Sequence, residues 1–285
     1  TSAGSGEVVS GDTPLGSGNI GHRRFHRISG LASGTYFWSV QAVDHGFARS
    51  DWTVPAEFII DTEAPVVTAF NVNRQQVGIG QTVTLSVNFD DEHSGVNAEV
   101  APVVEATIGG QTLSFEQLQF NGQSWSGELA ITADTPSGEA RVVVSGLVDG
   151  KDNALVPFDS AAVFLVDTEI PQIIATEPAM EAAGVPSSTA ELSITFSELI
   201  AAVTGADFTL RLGNTELSHL TDPVYDEDSR TVRIFPEGGL LPGSRYTVEV
   251  SAAVQDLVGN RPDNAITWTF STQVPQLVQT TPAAG

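Results

Sequence analysis

The sequence predicts an all-β protein, a rod of tandem β-sandwiches. Three observations carry the all-β prediction. Apolar and polar residues alternate with a period of two in stretch after stretch, which is the pattern of strands with one face buried. The 27 glycines and 15 prolines fall largely between those stretches, where they punctuate turns. One phrase also recurs: "IIDTEAPVV" (Ile59 to Val67) returns as "LVDTEIPQI" (Leu165 to Ile173). The interval is about 100 residues, the size of one sandwich.

The elements follow in order. "TYFWSVQAV" (Tyr36 to Val43) alternates and is followed by a turn at Asp44. "QTVTLSVNF" (Gln81 to Phe89) and "ARVVVSGL" (Ala140 to Leu147) are the strongest strands of the next stretch, and "LSITFSELI", "RTVRIFP", "RYTVEVSA" and "ITWTFST" are those of the last. "GVPSSTAELS" and "SELIAAVTGADF" carry the only hints of helical turns. The repeated phrase divides the chain into residues 1–60, 61–168, 169–274 and 275–285. Each DTE phrase is followed within two residues by a proline, which cannot donate to a ladder and holds the preceding residue extended, so the linkers should be short and stiff. The tail "PQLVQTTPAAG" (Pro275 to Gly285) repeats the opening of the third stretch, "PQIIATEPAME". It reads as the first strand of a further repeat, which makes the chain an interior slice of a longer array, or as a strand-exchange tail.

Resemblances sharpen the division. "LASGTYFWSVQAVD" is similar to the second half of a fibronectin type III module, with Tyr36 as the corner tyrosine and Trp38 and Val40 on its face. Residues 1–60 then correspond to the C-terminal part of such a module. Residues 61–168 resemble a generic bacterial Ig-like domain through "VNFDDEHSGVN" and "SGLVDGKDN". Residues 169–274 resemble the Ig-like domain of bacterial S-layer proteins and adhesins through "LSITFSELI", "LLPGSRYTVEV", "VQDLVGN" and "ITWTFST". Leu240 and Tyr246 flank a Pro-Gly turn at the spacing of a tyrosine corner, whose hydroxyl bonds back to the turn backbone.

Composition excludes several functions. The net charge is −23, from 35 acidic against 12 basic residues, with a single lysine, Lys151. Such a surface repels nucleic acid and anionic membranes and attracts cations. There are no cysteines, so disulfides, thiol chemistry and cysteine-built zinc sites are excluded. No apolar run is long enough to span a membrane. "GSGNIG" (Gly16 to Gly21) fits a dinucleotide fingerprint, yet neither a strand before it nor a helix after it is in place, and it is read as a chance match. "HRRFHR" (His22 to Arg27) is the one basic cluster and is read as a solvated strand. His22, His26, His45, His93 and His219 fall into no zinc-protease motif, and no nucleophile elbow is present. The chain is therefore expected not to be an enzyme. Trp52, Trp125 and Trp268 are expected in cores, since one tryptophan per unit usually packs inward.

Acidic turns are the remaining chemistry. Asp61 and Glu63 sit in one DTE phrase, and Asp167 and Glu169 in the next. Asp90, Asp91 and Glu92 follow a strand, Asp149 and Asp152 precede Asn153, and Asp256 precedes Asn260. Calcium takes six to eight oxygens, so Asp61, Glu63, Asp167 and Glu169 are its candidate ligands and Ca2+ the candidate cofactor. The competing reading is ordinary turn chemistry, because Asp and Asn bond their own backbone. The function expected is a structural or adhesive segment of a large secreted or cell-surface bacterial protein, extracellular in location. Its partners would be neighbouring domains, copies of itself, or a surface ligand or glycan. An accessory region of a secreted hydrolase and a carbohydrate-binding module are the alternatives.

Overall fold

The computed structural model describes residues 25, 27–44, 46, 48–217, 222–236 and 238–276. The Gly16–Gly21 motif, most of the basic cluster, His45, His219 and positions 277–285 lie outside them. The described residues form twenty strands and a single three-residue 3-10 turn, so the protein is all-β with almost wholly antiparallel pairing. Contacts divide it into two compact units. One runs through Gln75 and takes in Val83–Leu129 and Ala140–Phe164; the other takes in Gln76–Thr82, Ala130–Glu139 and the chain from Leu165 onward.

In the first unit, β1 (Gly34–Trp38) and β2 (Ala56–Ile60) form a two-stranded antiparallel sheet, with Tyr36 opposite Phe58. Their rings stack at 5.6 Å, and the Tyr36 hydroxyl donates to Ala32 O at 2.9 Å, closing a tyrosine corner. Phe37, Trp38 and Val40 remain about half exposed. Trp52, expected in a core, is 38% exposed; among the described residues the strand pair around it forms one sheet with no second sheet over it.

Next come β3 (Val66–Val72), β4 (Gln76–Val77), β5 (Thr82–Asp90), β6 (Val103–Ile108), β7 (Gln111–Ser114), β8 (Glu116–Phe120), β9 (Ser124–Ala130), β10 (Gly138–Ser145), β11 (Phe158–Asp159) and β12 (Phe164–Val166). Strands β3, β5, β9 and β8 make one sheet of the sandwich; β6 lies between β10 and β7 in the other, with β11 on β10. The alternation in β5 does what its pattern predicts: Val83, Leu85, Val87 and Phe89 are buried and the residues between them are not. Trp125 on β9 is 2% exposed, set edge-on to Phe115 at 5.5 Å. Each such fully buried large side chain contributes about 1.5–3 kcal/mol.

In the second unit β4 and β12 pair in parallel, Val77 against Val166. The remaining strands are β13 (Ile173–Glu177), β14 (Leu192–Phe196), β15 (Phe208–Leu212), β16 (Thr215–Leu217), β17 (Val224–Asp226), β18 (Thr231–Ile234), β19 (Arg245–Val250) and β20 (Ile266–Ser271). They form two four-stranded sheets, β13-β14-β18-β17 and β16-β15-β19-β20. The core between them joins Leu192, Ile194, Val232 and Ile234 of one sheet to Leu210, Tyr246, Val248 and Phe270 of the other. Tyr246 is fully buried, and its hydroxyl accepts the Leu241 backbone N–H at 2.6 Å, which is the tyrosine corner the Leu240/Tyr246 spacing predicts. Trp268 is buried as expected. Of the two helical hints, one becomes the 3-10 turn Gly205–Asp207 and the other contains none among its described residues.

Candidate functional site

One DTE phrase precedes β3 and the other precedes β13, and the two are built alike. In the first unit the Ser33 hydroxyl accepts the Thr62 backbone N–H at 3.1 Å; in the second the Ser137 hydroxyl accepts that of Thr168 at 2.9 Å. Each serine precedes a glycine at positive φ, Gly34 at 149° and Gly138 at 144°, that starts a strand. The next step is a turn of the form D-x-x-x-N. Asn153 donates its amide to the Asp61 carbonyl at 3.2 Å, and Asn260 donates to the Asp167 carbonyl at 2.9 Å. These partners are 92 and 93 residues apart, so the repeat holds to within one residue.

The turn aspartates are buried: Asp149 is 0% and Asp256 2% exposed. Asp149 Oδ1 accepts the backbone N–H groups of Lys151 and Asn153 at 2.7 and 2.9 Å, and its Oδ2 accepts the Asn153 amide at 2.6 Å. Asp256 Oδ1 accepts Val258, Gly259 and Asn260 at 2.7–2.9 Å, and its Oδ2 accepts the Asn260 amide at 2.7 Å. A short bridge pairs Asp149 with Val96 and Asp256 with Ile200, which brings the loop after one inner strand beside the turn. That loop supplies a third carboxylate, Asp91 in the first unit and Glu198 in the second.

The result is two trios, Asp61–Asp91–Asp149 and Asp167–Glu198–Asp256, in each of which one carboxylate oxygen per residue lies within 4.8 Å of the others. Among the described residues no Lys, Arg or His is in ion-pairing distance of any of the six. The charge in the first trio is offset mainly by dipoles. Hydrogen bonding from Ser94 is the largest cause that holds Asp61 below the ordinary carboxylate range; burial opposes it, and the Glu63 backbone adds to it. Glu198 is the opposite case. Burial first, then the charges of Asp167, Asp256 and Glu169, push it from 4.5 up to about 7. Its Oε1 is a buried atom with no hydrogen-bond partner among the described residues.

Around the second trio, Gln76, Leu165, Leu199, Leu257 and Val258 complete a cleft. Segment 76–82 of the same unit is tied to it: Asn260 Oδ1 accepts the Ile79 N–H at 2.7 Å, and Gln81 donates to the Val258 carbonyl. Gly78 is needed there, since a Cβ would meet Asn260 Oδ1 at 2.8 Å.

Of the four candidate ligands read from sequence, Asp61 and Asp167 each stand in a trio. Glu63 instead lies with Glu92 and His93, and Glu169 stands near Glu198 as a charge without joining the second trio. Glu198 was not legible: "SELI" carries a single acid just past the end of a strand, and only the match to the position of Asp91, two residues after Phe89 as Glu198 is two after Phe196, singles it out.

Residues 167–272 match the family model described as a bacterial Ig-like domain. No curated protein matches the chain. Among solved structures it is similar to the Escherichia coli adhesin FdeC, at 12% identity over 86% of this chain and 87% of that one, TM-score 0.40. It is also similar to the N-terminal part of the bacterial S-layer protein SbsC, at 19% identity over 38% of this chain, TM-score 0.30; the match spans 24% of the S-layer chain. A tandem pair from titin, A168–A169, matches at 16% identity over 75% of this chain and all of that one, TM-score 0.30.

Proposed function

We propose that this chain is a non-catalytic structural segment of a large secreted or cell-surface bacterial protein, serving spacing, display, assembly or adhesion, and that calcium stiffens the start of each sandwich at its DTE phrase. The observation that supports this reading is the same opening built twice, with three carboxylates each time and, among the described residues, no paired cation. The order of modules is part of the same reading: a partial fibronectin type III-like module to residue 60, Ig-like sandwiches at 61–168 and 169–274, and the beginning of another element from 275. The serine–glycine strand starts at Gly34 and Gly138 favour it, since they give residues 1–60 the same closing portion that precedes Asp167.

Both trios offer hard oxygen donors at close range, the donor set calcium takes. Asp61, Asp91 and Asp149 would hold one ion; Asp167, Glu198 and Asp256 would hold the other. The ion supplies positive charge where each DTE phrase concentrates carboxylates. The chain does the rest. Asn153 and Asn260 clamp the Asp61 and Asp167 carbonyls, and the D-x-x-x-N turns fix the buried aspartates before any ion arrives, so little ordering remains to oppose binding. Calcium at about a hundred times its dissociation constant would stabilise the folded state by about 2.7 kcal/mol. Thermal melting in excess calcium against excess chelator tests this: the reading requires a higher melting temperature with calcium, and identical curves would leave turn chemistry alone. The exposed Trp38 and Trp52 favour a second reading, carbohydrate binding, which a glycan screen addresses.

A further inference from the structure

We infer that Glu63, Glu92 and His93 form a binding site for a zinc-type transition-metal dication, separate from the carboxylate trio beside it. One ligand atom from each lies within 4.8 Å of the other two. His93 Nε2 is 3.7 Å from Glu63 Oε2, too far for a hydrogen bond and well placed for two ligands sharing an ion. The donor set decides the class of metal. Calcium is bound by oxygens, whereas an imidazole with carboxylates is a set that zinc and its neighbours accept, with three protein ligands leaving a further position for water.

The backbone positions these side chains through the trio without using the trio as ligands. Asp61 Oδ1 accepts the Glu63 N–H at 3.0 Å, which fixes the turn that carries Glu63. Asp91 Oδ1 accepts the N–H groups of Ser94 and Gly95 at 2.9 and 2.8 Å, and Asp61 Oδ2 also accepts that of Ser94, at 3.1 Å. The loop carrying Glu92 and His93 is therefore pinned to the DTE phrase that carries Glu63. Solvent reaches the site, with the side chain of His93 21% and that of Glu63 64% exposed. Two carboxylates are gathered around one imidazole, and a dication between them offsets the repulsion of the two carboxylates.

The repeat provides an internal control. In the second sandwich Glu169 takes the place of Glu63, but the loop reads Glu198-Leu199-Ile200 where the first reads Asp91-Glu92-His93, and it offers no histidine. The site is thus expected in the first sandwich only, and it stands whether or not calcium occupies either trio.

The experiment is a calorimetric titration of the whole chain with zinc chloride in saturating calcium, alongside the His93→Gln, Glu63→Gln, Asp149→Asn and Asp256→Asn variants, with the His93 imidazole followed by NMR. His93→Gln and Glu63→Gln should each weaken one zinc equivalent by about tenfold or more. Asp256→Asn should leave that equivalent in place, and the His93 imidazole resonances should shift with its filling. Melting curves of the two glutamine variants should match the parent, because solvent reaches both side chains. Zinc binding unchanged in His93→Gln, or imidazole resonances unmoved at saturation, would overturn the site. So would an equivalent lost in Asp149→Asn but kept in His93→Gln, since zinc would then merely be competing for the trio.

Discussion

The sandwich openings at Asp61 and Asp167 share their serine, their threonine, their D-x-x-x-N turn and their spacing, and differ at one carboxylate. Asp91 takes three backbone N–H groups of its own loop on Oδ1. Glu198, one methylene longer, has a buried oxygen without a partner and holds its proton up to about pH 7. The same scaffold therefore produces one trio whose charge is met by backbone dipoles and one whose charge is left to be met by a proton or a cation. Burial of the turn aspartates is not what distinguishes them, since Asp149 and Asp256 are both almost wholly buried. What differs is the supply of donors.

The largest effect should come from removing a buried turn aspartate. Asp256→Ala strands three backbone donors and the Asn260 amide, and should cost about 3 kcal/mol or more, because each buried unsatisfied group costs about 1–3 kcal/mol. Asp149→Ala strands two donors and the Asn153 amide and should cost somewhat less. Denaturant unfolding of the two variants gives the ranking; equal losses would show that donor count does not set the cost.

Gly78→Ala tests the tie between segment 76–82 and Asn260. The added methyl must displace Asn260 Oδ1 and Val258, at about 1–3 kcal/mol for overpacking. Asn260→Ala made together with Gly78→Ala should cost less than the sum of the two, since the first removes the atom that the second strikes.

The two trios should also differ in sign with pH once metal is removed by chelator. Glu198 has a raised folded-state pKa. Its folded form keeps a proton that the unfolded chain releases near pH 4.5, so stability falls as pH rises from 4.5 to about 7 and is level above. Allowing for solvent screening, the fall is about 1–3 kcal/mol, and Glu198→Gln should abolish it. Asp61 has a lowered pKa. Its contribution is present above pH 3.8 and is lost as pH drops below that value, so Asp61→Asn should flatten only the acid limb. A stability profile of the Glu198→Gln variant that still falls between pH 4.5 and 7 would place the proton elsewhere.

Tyr36 and Tyr246 offer the smallest test. Both hydroxyls close a corner, but Tyr246 is fully buried and Tyr36 is partly exposed. Tyr246→Phe should cost about 1 kcal/mol and Tyr36→Phe less, because water replaces a lost partner only where it has access.

Much of the fold was legible because alternation is a local signal. Val83 to Phe89 and Leu192 to Phe196 declare their buried faces residue by residue. The corner at Tyr246 was legible too, since it depends on residues close together in the chain. The trios were only half legible. Asp61 and Asp167 stand out by repetition, but their partners come from loops far along the chain, and the choice among Asp90, Asp91 and Glu92 depends on which side chain the loop turns toward Asp149. Trp52 misled for the opposite reason: an apolar residue signals burial only where a second sheet covers it.

The central claim is tested most directly by a calcium titration of the intact chain by calorimetry, with Asp149→Asn and Asp256→Asn run beside it. Two calcium equivalents are expected in the parent, and each variant should lose one while keeping the other. Absence of any binding in the parent, or loss of both equivalents in a variant that melts like the parent, would contradict the reading of two separate cation-braced trios.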